Sequence, residues 1–298
     1  MTHVATFVSN PARPALNDEM LRAVAQCLPA AKPPLWLEHA IAADIGFTPS
    51  PADHDHMISA RLRETLAGMP VDFFLQTTAT RRKKLFIADM DSTMIQQECI
   101  DELADFVGLK AHVAAITERA MLGEIAFEPA LRERVALLRG LSLDVIMKVV
   151  NERITVTPGA RTLVQTMRAQ GVFTALVSGG FTLFSQEIAA RIGFDAHRGN
   201  ILITENGKLT GNVSEPILGK SAKREALEFF RAMQGVSTSE TLAVGDGAND
   251  LDMLQHAGLG VAFYAKPAVA AAAHARIDHA DLTALLYAQG YRRMEFQE

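Results

Sequence analysis

Cysteine is almost missing from this chain: Cys27 and Cys99 are the only two in 298 residues. That excludes a disulfide framework and a cysteine-rich zinc site, and it fits a reducing compartment. Positive charge is not in surplus either. Lys and Arg total 29 against 34 Asp and Glu, a net charge of −5, so the balance suggests no nucleic-acid-binding surface. No apolar run reaches membrane-spanning length. The opening residues "MTHVATFVSNPARP" lack a basic region followed by an apolar core, so no export signal is expected. Internal repeats and low-complexity segments are absent as well. These absences point to a cytoplasmic protein with neither membrane nor nucleic acid among its partners. What is present, 49% hydrophobic and 21% charged residues, suits a globular enzyme of one large domain or two smaller ones.

Residues 1–80 read as a small unit of their own. "HVATFVS" has the pattern of a strand, "DEMLRAVAQCL" of an amphipathic helix, and "LWLEHAIAADIGF" of a strand region. "DHMISARLRETLAGM" is expected as a helix and "VDFFLQT" as a further strand. The polar, basic stretch "TATRRKK" at 78–84 reads as a linker. From residue 81 to 298 the pattern changes. "LFIA", "FTALV", "TLAV" and "GVAF" are short continuous apolar runs, mostly separated by helical stretches. That alternation predicts a doubly wound parallel sheet of the α/β class. Residues 97 to about 155 are almost wholly helical, too long for a crossover, and read as a helical cap. "NILITENGKLTGNV", at 200–213, alternates around an Asn-Gly pair and predicts a β-hairpin.

The chemistry concentrates at predicted strand ends. In "KLFIADMDSTMI", residues 84–95, a buried strand runs into Asp89 and Asp91. Two residues apart on extended backbone, their side chains share a side, and like charges held close repel. "VGDGANDLDML", 244–254, ends a second strand in Asp246 and places Asp250 in the first turn of a helix. An aspartate at a turn or helix start is ordinary, but three or four converging at one sheet edge call for a cation. Oxygen ligands without a histidine cluster suit magnesium. Magnesium beside an aspartate suggests phosphoryl transfer, with one carboxylate attacking phosphorus and the other moving the proton. "ALVSGGF" places Ser178, Gly179 and Gly180 between a strand and a helix, where backbone N–H groups approach an anion. "GKSAKREALEFF" offers Lys220 and Lys223 as the point charge for a phosphate, and position alone does not choose between them.

"DMDST", "VSGG", "AKREAL" and "GDGAND", in that order, resemble the four motifs of the haloacid dehalogenase superfamily, and the match extends over about residues 83–290. The match is close to the phosphoserine-hydrolysing branch, an assignment that rests on the cap. The resemblance implies Mg2+-dependent hydrolysis of O-phospho-L-serine to L-serine and phosphate through an aspartyl-phosphate, the last step of serine biosynthesis. It implies Asp89 as nucleophile and Asp91 as general acid and base. Asp89, the Asp91 carbonyl and Asp246 become the metal ligands, with Asp250 in the outer shell. Ser178, Gly179, Lys223 and Asn249 become the phosphate contacts, so the resemblance selects Lys223 over Lys220. In the cap, Glu98 matches the carboxylate that receives the substrate amine and Arg134 the arginine that binds the substrate carboxylate. Met121 and Phe127 match apolar residues that exclude water. Glu98 and Arg134 both lie in charged helical sequence, where most such residues are solvated or paired on the surface, and Arg132 is a nearby competitor for Arg134.

The N-terminal module resembles the small ACT-like ligand-sensing domains, without a clear ligand-site signature, and leaves room for a homodimer. Other residues have plainer readings. "DHDH" at 53–56 is expected to be an exposed, acid-rich helix start, His274 and His279 ordinary surface histidines, and Cys99 a small buried apolar side chain. Two alternatives remain open. One is a phosphotransferase, or a phosphatase for a related amino-acid phosphate. The other is a regulator whose phosphatase-like domain has lost activity, against which all four motifs are intact.

Overall fold

The computed structural model of the chain describes residues 1–50 and 53–298, apart from the side chains of Met121 and Lys220. Its contacts divide into two compact units. One comprises Met1–Lys84, Pro158–Val172 and Ala275–Glu298, the other Leu85–Thr157 and Phe173–His274.

The first unit begins with β1 (His3–Ser9), α1 (Asp18–Ala25), β2 (Leu35–Glu38), β3 (Ala42–Phe47), α2 (Asp55–Thr65) and β4 (Val71–Thr77). The stretch expected as one strand region, 35–47, folds back on itself as two antiparallel strands. Ala40, with φ 62°, stands in the turn between them. The sheet order is β2-β3-β1-β4, and β1 runs antiparallel to both neighbours. This β-α-β-β-α-β arrangement is the ferredoxin-like split fold. Its core is apolar residues of β1, β3 and the helices, including Phe7, Ile45, Phe47, Leu21, Ile58 and Leu62, all without solvent exposure. Both helices start where the sequence suggests. The Asn17 side chain accepts from the Met20 N–H to cap α1, and α2 opens at Asp55 within "DHDH".

The second unit opens with β5 (Leu85–Ala88), then a cap of four helices: α3 (Cys99–Asp105), α4 (Lys110–Met121), α5 (Phe127–Leu137) and α6 (Leu143–Glu152). After α7 (Ala160–Ala169), which belongs to the first unit, follow β6 (Phe173–Phe181), α8 (Thr182–Ile192) and β7 (Ala196–Asn200). The hairpin β8 (Leu202–Glu205) and β9 (Lys208–Val213) turns at Asn206 and Gly207, both at positive φ. That is the backbone an Asn-Gly turn supplies at low cost. The unit closes with α9 (Lys220–Gln234), β10 (Thr241–Gly245), α10 (Leu251–His256), β11 (Leu259–Phe263) and α11 (Pro267–Ala272).

Its parallel strands lie in the order β11-β10-β5-β6-β7. From β5 the chain winds outward one way through β6 and β7, then returns to wind the other way through β10 and β11. This is a doubly wound sheet, and the strand order reverses between β5 and β10. All four residues of β5 have no solvent exposure, as expected of a central parallel strand. Leu85, Ile87, Val177 and Ala243 pack with Ala226, Leu227 and Phe230 of α9 and Met253 and Leu254 of α10.

The first unit is completed by β12 (Ala275–Ile277) and α12 (Ala284–Ala288). Residues 78–84, expected as a linker, are tied into it. The Arg81 guanidinium donates to both oxygens of Asp44 at 2.6 Å and to the Ala288 and Tyr287 carbonyls. Asp72, on β4, accepts the backbone N–H groups of Asp278, His279 and Ala280. Among the described residues no helix is long and apolar enough to cross a membrane.

Candidate active site

The carboxyl ends of β5 and β10 are adjacent, since Ala88 pairs with Val244, and the Asp89 N–H donates to the Val244 carbonyl at 3.0 Å. Both Asp89 and Asp91 are extended, with ψ of 160° and 139°, and Ser92 then turns through a left-handed φ of 54°. The turn delivers the next side chains to the site as well. Thr93 donates to Asp246 Oδ1 at 3.0 Å, and Ser92 donates to Glu98 Oε1 at 2.6 Å. Asp91 accepts from the Cys99 N–H at 2.9 Å and from Ser178 Oγ at 3.3 Å.

Oxygens of Asp89, Asp246 and Asp250 lie within 4.8 Å of one another, and all three residues are buried. Lys223, on α9 and 3% exposed, reaches Asp89 Oδ1 at 2.6 Å and Asp250 Oδ1 at 2.5 Å. The second Asp250 oxygen accepts the Gly247 N–H at 3.0 Å. One cation against three carboxylates leaves the cluster acid-rich. Burial, with the Asp250 charge beside it, pushes the Asp246 carboxyl up to about 7. Burial and then Asp250 raise Asp89 well above the usual carboxylate range, against the pull of Lys223. Burial works against the Lys223 ammonium, but Asp250 and Asp89 together outweigh it and raise its pKa. A buried, hard-oxygen set with excess negative charge could hold a divalent cation, which would relieve the repulsion that keeps protons on these acids.

A cavity of about 290 Å³ opens beside this cluster. Asp89, Asp91, Ser178, Gly179, Gly180 and Asn249 line its core side. Glu98, Thr117, Ile125, Phe127, Leu131 and Arg134 line its cap side. Burial, then the negative charge of Asp91, pushes the Glu98 carboxyl up to about 8. Arg134 is 5% exposed, whereas Arg132, two residues along the same helix, faces solvent and pairs with Glu215. Phe127 lies against Gly179, where a Cβ would stand 3.0 Å from its ring.

The structure therefore brings Asp89, Asp91, Glu98, Arg134, Ser178, Gly179 and Asn249 to one cavity, with Asp246, Asp250 and Lys223 in contact at its edge. The side chains of Met121 and Lys220 lie outside the described residues. One expectation is corrected. Ser178 to Gly180 do not form a loop ahead of α8; β6 continues to Phe181, and its pairing with β7 shifts register between Val177 and Phe181. At this irregularity β6 advances four residues against two of β7, and there Gly180 N–H donates to Ser178 Oγ at 2.8 Å. Asn200 holds the same backbone from behind by donating to the Gly179 carbonyl at 2.8 Å. Sequence reasoning assigned no role to Thr93, Ser92, Thr117, Asn200 or Gly245. The Ser-Thr pair was visible beside Asp91, but Thr117 and Asn200 had no signal beyond a polar residue in an apolar stretch. At Gly245 a Cβ would fall onto the Asp250 carboxyl, so only glycine fits.

Aspartates thus gather at the switch point of a doubly wound sheet, Asp89 and Asp250 joined by the buried Lys223, beside a cavity that cap residues also line. The profile of the haloacid dehalogenase-like hydrolases matches residues 86–255, and the chain belongs to that family. It is 45% identical over 217 residues to a phosphoserine phosphatase of Streptomyces coelicolor, a stretch of 73% of this chain and 53% of the relative. The chain thus spans about half of that relative's length. Among solved structures, a HAD family hydrolase from Salmonella enterica serovar Typhi is similar with a TM-score of 0.85 at 29% identity, covering 96% of this chain and 97% of that one. A phosphoserine phosphatase solved as a phospho-aspartyl intermediate analogue is 41% identical, with a TM-score of 0.66 over 69% of this chain and 98% of that one.

Proposed function

We propose that this chain hydrolyses O-phospho-L-serine to L-serine and inorganic phosphate through an aspartyl-phosphate on Asp89, in the cytoplasm, with Mg2+. The observation that carries the reading is the charge pattern of one small cavity. It is lined by the acid pair Asp89 and Asp91 and by the opposite charges of Glu98 and Arg134, a set complementary to the phosphate, ammonium and carboxylate of an amino-acid phosphate. The similarity to phosphoserine phosphatases supports the same choice.

An Asp89 oxygen attacks phosphorus while the Asp91 carboxyl gives its proton to the departing seryl oxygen. Burial raises the Asp91 pKa, which favours the proton-bearing form this step needs. Water then attacks the aspartyl-phosphate, and Asp91 takes its proton, releasing phosphate and restoring Asp89. Lys223 balances the phosphate charge, and Ser178, the Gly179 backbone and Asn249 hold its oxygens. Glu98 receives the amine and Arg134 the carboxylate. Phe127, packed on Gly179, excludes water. Asp89, the Asp91 carbonyl and Asp246 would hold magnesium, with Asp250 behind them, and the ion would supply positive charge for the phosphate oxygens. Residues 1–80 are read as an ACT-like module and 81–298 as the phosphatase domain, its cap at about 97–155.

The test is phosphate release from L-phosphoserine, phosphothreonine and an aryl phosphate, each with magnesium and with EDTA. Magnesium-dependent turnover favouring phosphoserine is expected. Turnover of the aryl phosphate alone overturns the substrate, and transfer to added serine or homoserine in place of phosphate release overturns hydrolysis.

A further inference from the structure

Among the described residues, the buried Arg134 has no carboxylate within ion-pair distance. Its Nε donates to the Ala130 carbonyl at 3.1 Å and its Nη1 to the Thr117 hydroxyl at 2.8 Å. Both acceptors are neutral, and among the described residues Nη2 has no partner. Burying a guanidinium without an anion is costly. A fold that only needed the arginine for stability would seat it on a carboxylate, and one is close. Asp101 stands one step further on, where its Oδ1 accepts from Thr117 Oγ1 at 3.1 Å. The three groups come from three cap helices: Asp101 on α3, Thr117 on α4 and Arg134 on α5.

The Thr117 hydroxyl has one proton and two lone pairs. Its proton goes to Asp101 or to the Val113 carbonyl at 3.0 Å, the back-bond a helical threonine ordinarily makes. With the proton directed to either, a lone pair is left to face Arg134. The hydroxyl thus separates Asp101 from the guanidinium. It fixes the arginine's direction without neutralising it, and the charge stays available to an anion entering the cavity.

We propose that Thr117, anchored by Asp101, is the positioning residue that holds Arg134 unpaired and aimed into the cavity, and so sets the preference for substrates carrying a carboxylate. This rests on the amino-acid-phosphate reading above. Neither Thr117 nor Asp101 takes part in the chemistry; both act through Arg134.

The experiment compares steady-state kinetics on L-phosphoserine and on phosphoethanolamine, which keeps the phosphate and ammonium but lacks the carboxylate. The variants are Thr117→Val, Thr117→Ser, Asp101→Asn and Arg134→Gln. Thr117→Val keeps the side-chain shape and removes the hydroxyl. It is expected to lower the ratio of kcat/KM for phosphoserine over phosphoethanolamine by about tenfold or more, the worth of one hydrogen bond to a charged group. The loss should appear in KM for phosphoserine, with kcat at saturation changing far less. Thr117→Ser, which restores the hydroxyl, should recover most of the ratio, and Asp101→Asn should lie between. A Thr117→Val ratio equal to that of the parent protein overturns the proposal. So does an equal loss on both substrates, or a loss that Thr117→Ser shares, because either result marks a structural role. If Arg134→Gln loses the discrimination and Thr117→Val keeps it, only the positioning role fails. If the parent protein does not discriminate, the substrate reading fails with it. Should Thr117→Val not fold, Asp101→Asn carries the same comparison, and an unchanged ratio there overturns the anchored arrangement.

Discussion

Replacing Lys223 by Met removes the cation from a buried cluster and leaves its three carboxylates facing one another. Lys223 makes two contacts, at 2.6 Å to Asp89 and 2.5 Å to Asp250. At an effective dielectric of about 20, each is worth about 6 kcal/mol of Coulomb attraction before desolvation is subtracted. Removing one partner of a buried pair typically costs about 3–5 kcal/mol net, which corresponds to a fall in Tm of roughly 5–8 °C for a chain of this size. The acids limit the damage by taking up protons, and this fixes the sign of the pH dependence. An aspartate whose folded pKa lies above its unfolded value of 3.8 holds its proton where the unfolded chain has released it. Its contribution to stability is complete below that unfolded value and is lost as pH rises through the folded one, about 7 for Asp246 even with Lys223 present. The Lys223→Met deficit should therefore be larger at pH 8 than at pH 5, measured by thermal melts in EDTA. Magnesium should recover part of it at pH 8 while turnover stays lost. An unchanged Tm at pH 8, or a deficit that shrinks between pH 5 and 8, would refute the reasoning.

Four further outcomes follow from particular contacts. Asp89→Asn should abolish turnover in the phosphate-release assay while the fold persists by circular dichroism; normal activity would remove Asp89 from the chemistry. Glu98, pushed up to about 8 by burial and the Asp91 charge, should ionise when an ammonium arrives, because the ammonium pulls its pKa back down. Binding of L-serine near pH 7 should then release a proton, read by calorimetry in two buffers of different ionisation enthalpy, and the release should fade above pH 9. Proton uptake, or none, would contradict this. Gly245→Ala drives a Cβ into the Asp250 carboxyl and displaces the Lys223 anchor, so kcat should fall by about 10²-fold. Asp72→Ala strands three backbone N–H groups and should cost on the order of 3 kcal/mol in denaturant unfolding of the whole chain. A loss under about 0.5 kcal/mol would show that water replaces the carboxylate.

Much of the architecture was legible because it rests on local rules. Continuous apolar runs of four or five residues announce buried parallel strands, and "LFIA" became the centre of the sheet. Asn206-Gly207 announced its hairpin through the positive φ both residues adopt. The 35–47 stretch was not legible in full, because a turn at an alanine with positive φ leaves no compositional mark. Ser178 to Gly180 read as a loop because Ser-Gly-Gly favours turns. The strand continues there through a register shift, and only pairing with β7 decides that. Arg81, one of four consecutive basic residues, looked like linker. Its seat on Asp44 depends on a partner 37 residues away.

The sequence by itself determined what types of group the site has and which strand ends carry them. Asp89, Asp91, Asp246 and Asp250 follow apolar runs, and strands of one parallel sheet must present their carboxyl ends to the same edge. Only the tertiary structure decided which groups meet. It set the phase of α5, which turns Arg134 into the cavity and leaves Arg132 on Glu215, and it interposed Thr117 between Arg134 and Asp101. The physical reason is range. Periodicity and turn chemistry act over a few residues, whereas the charges that tune this site are brought together across as many as 161 residues, from Asp89 to Asp250, by packing that no short stretch encodes.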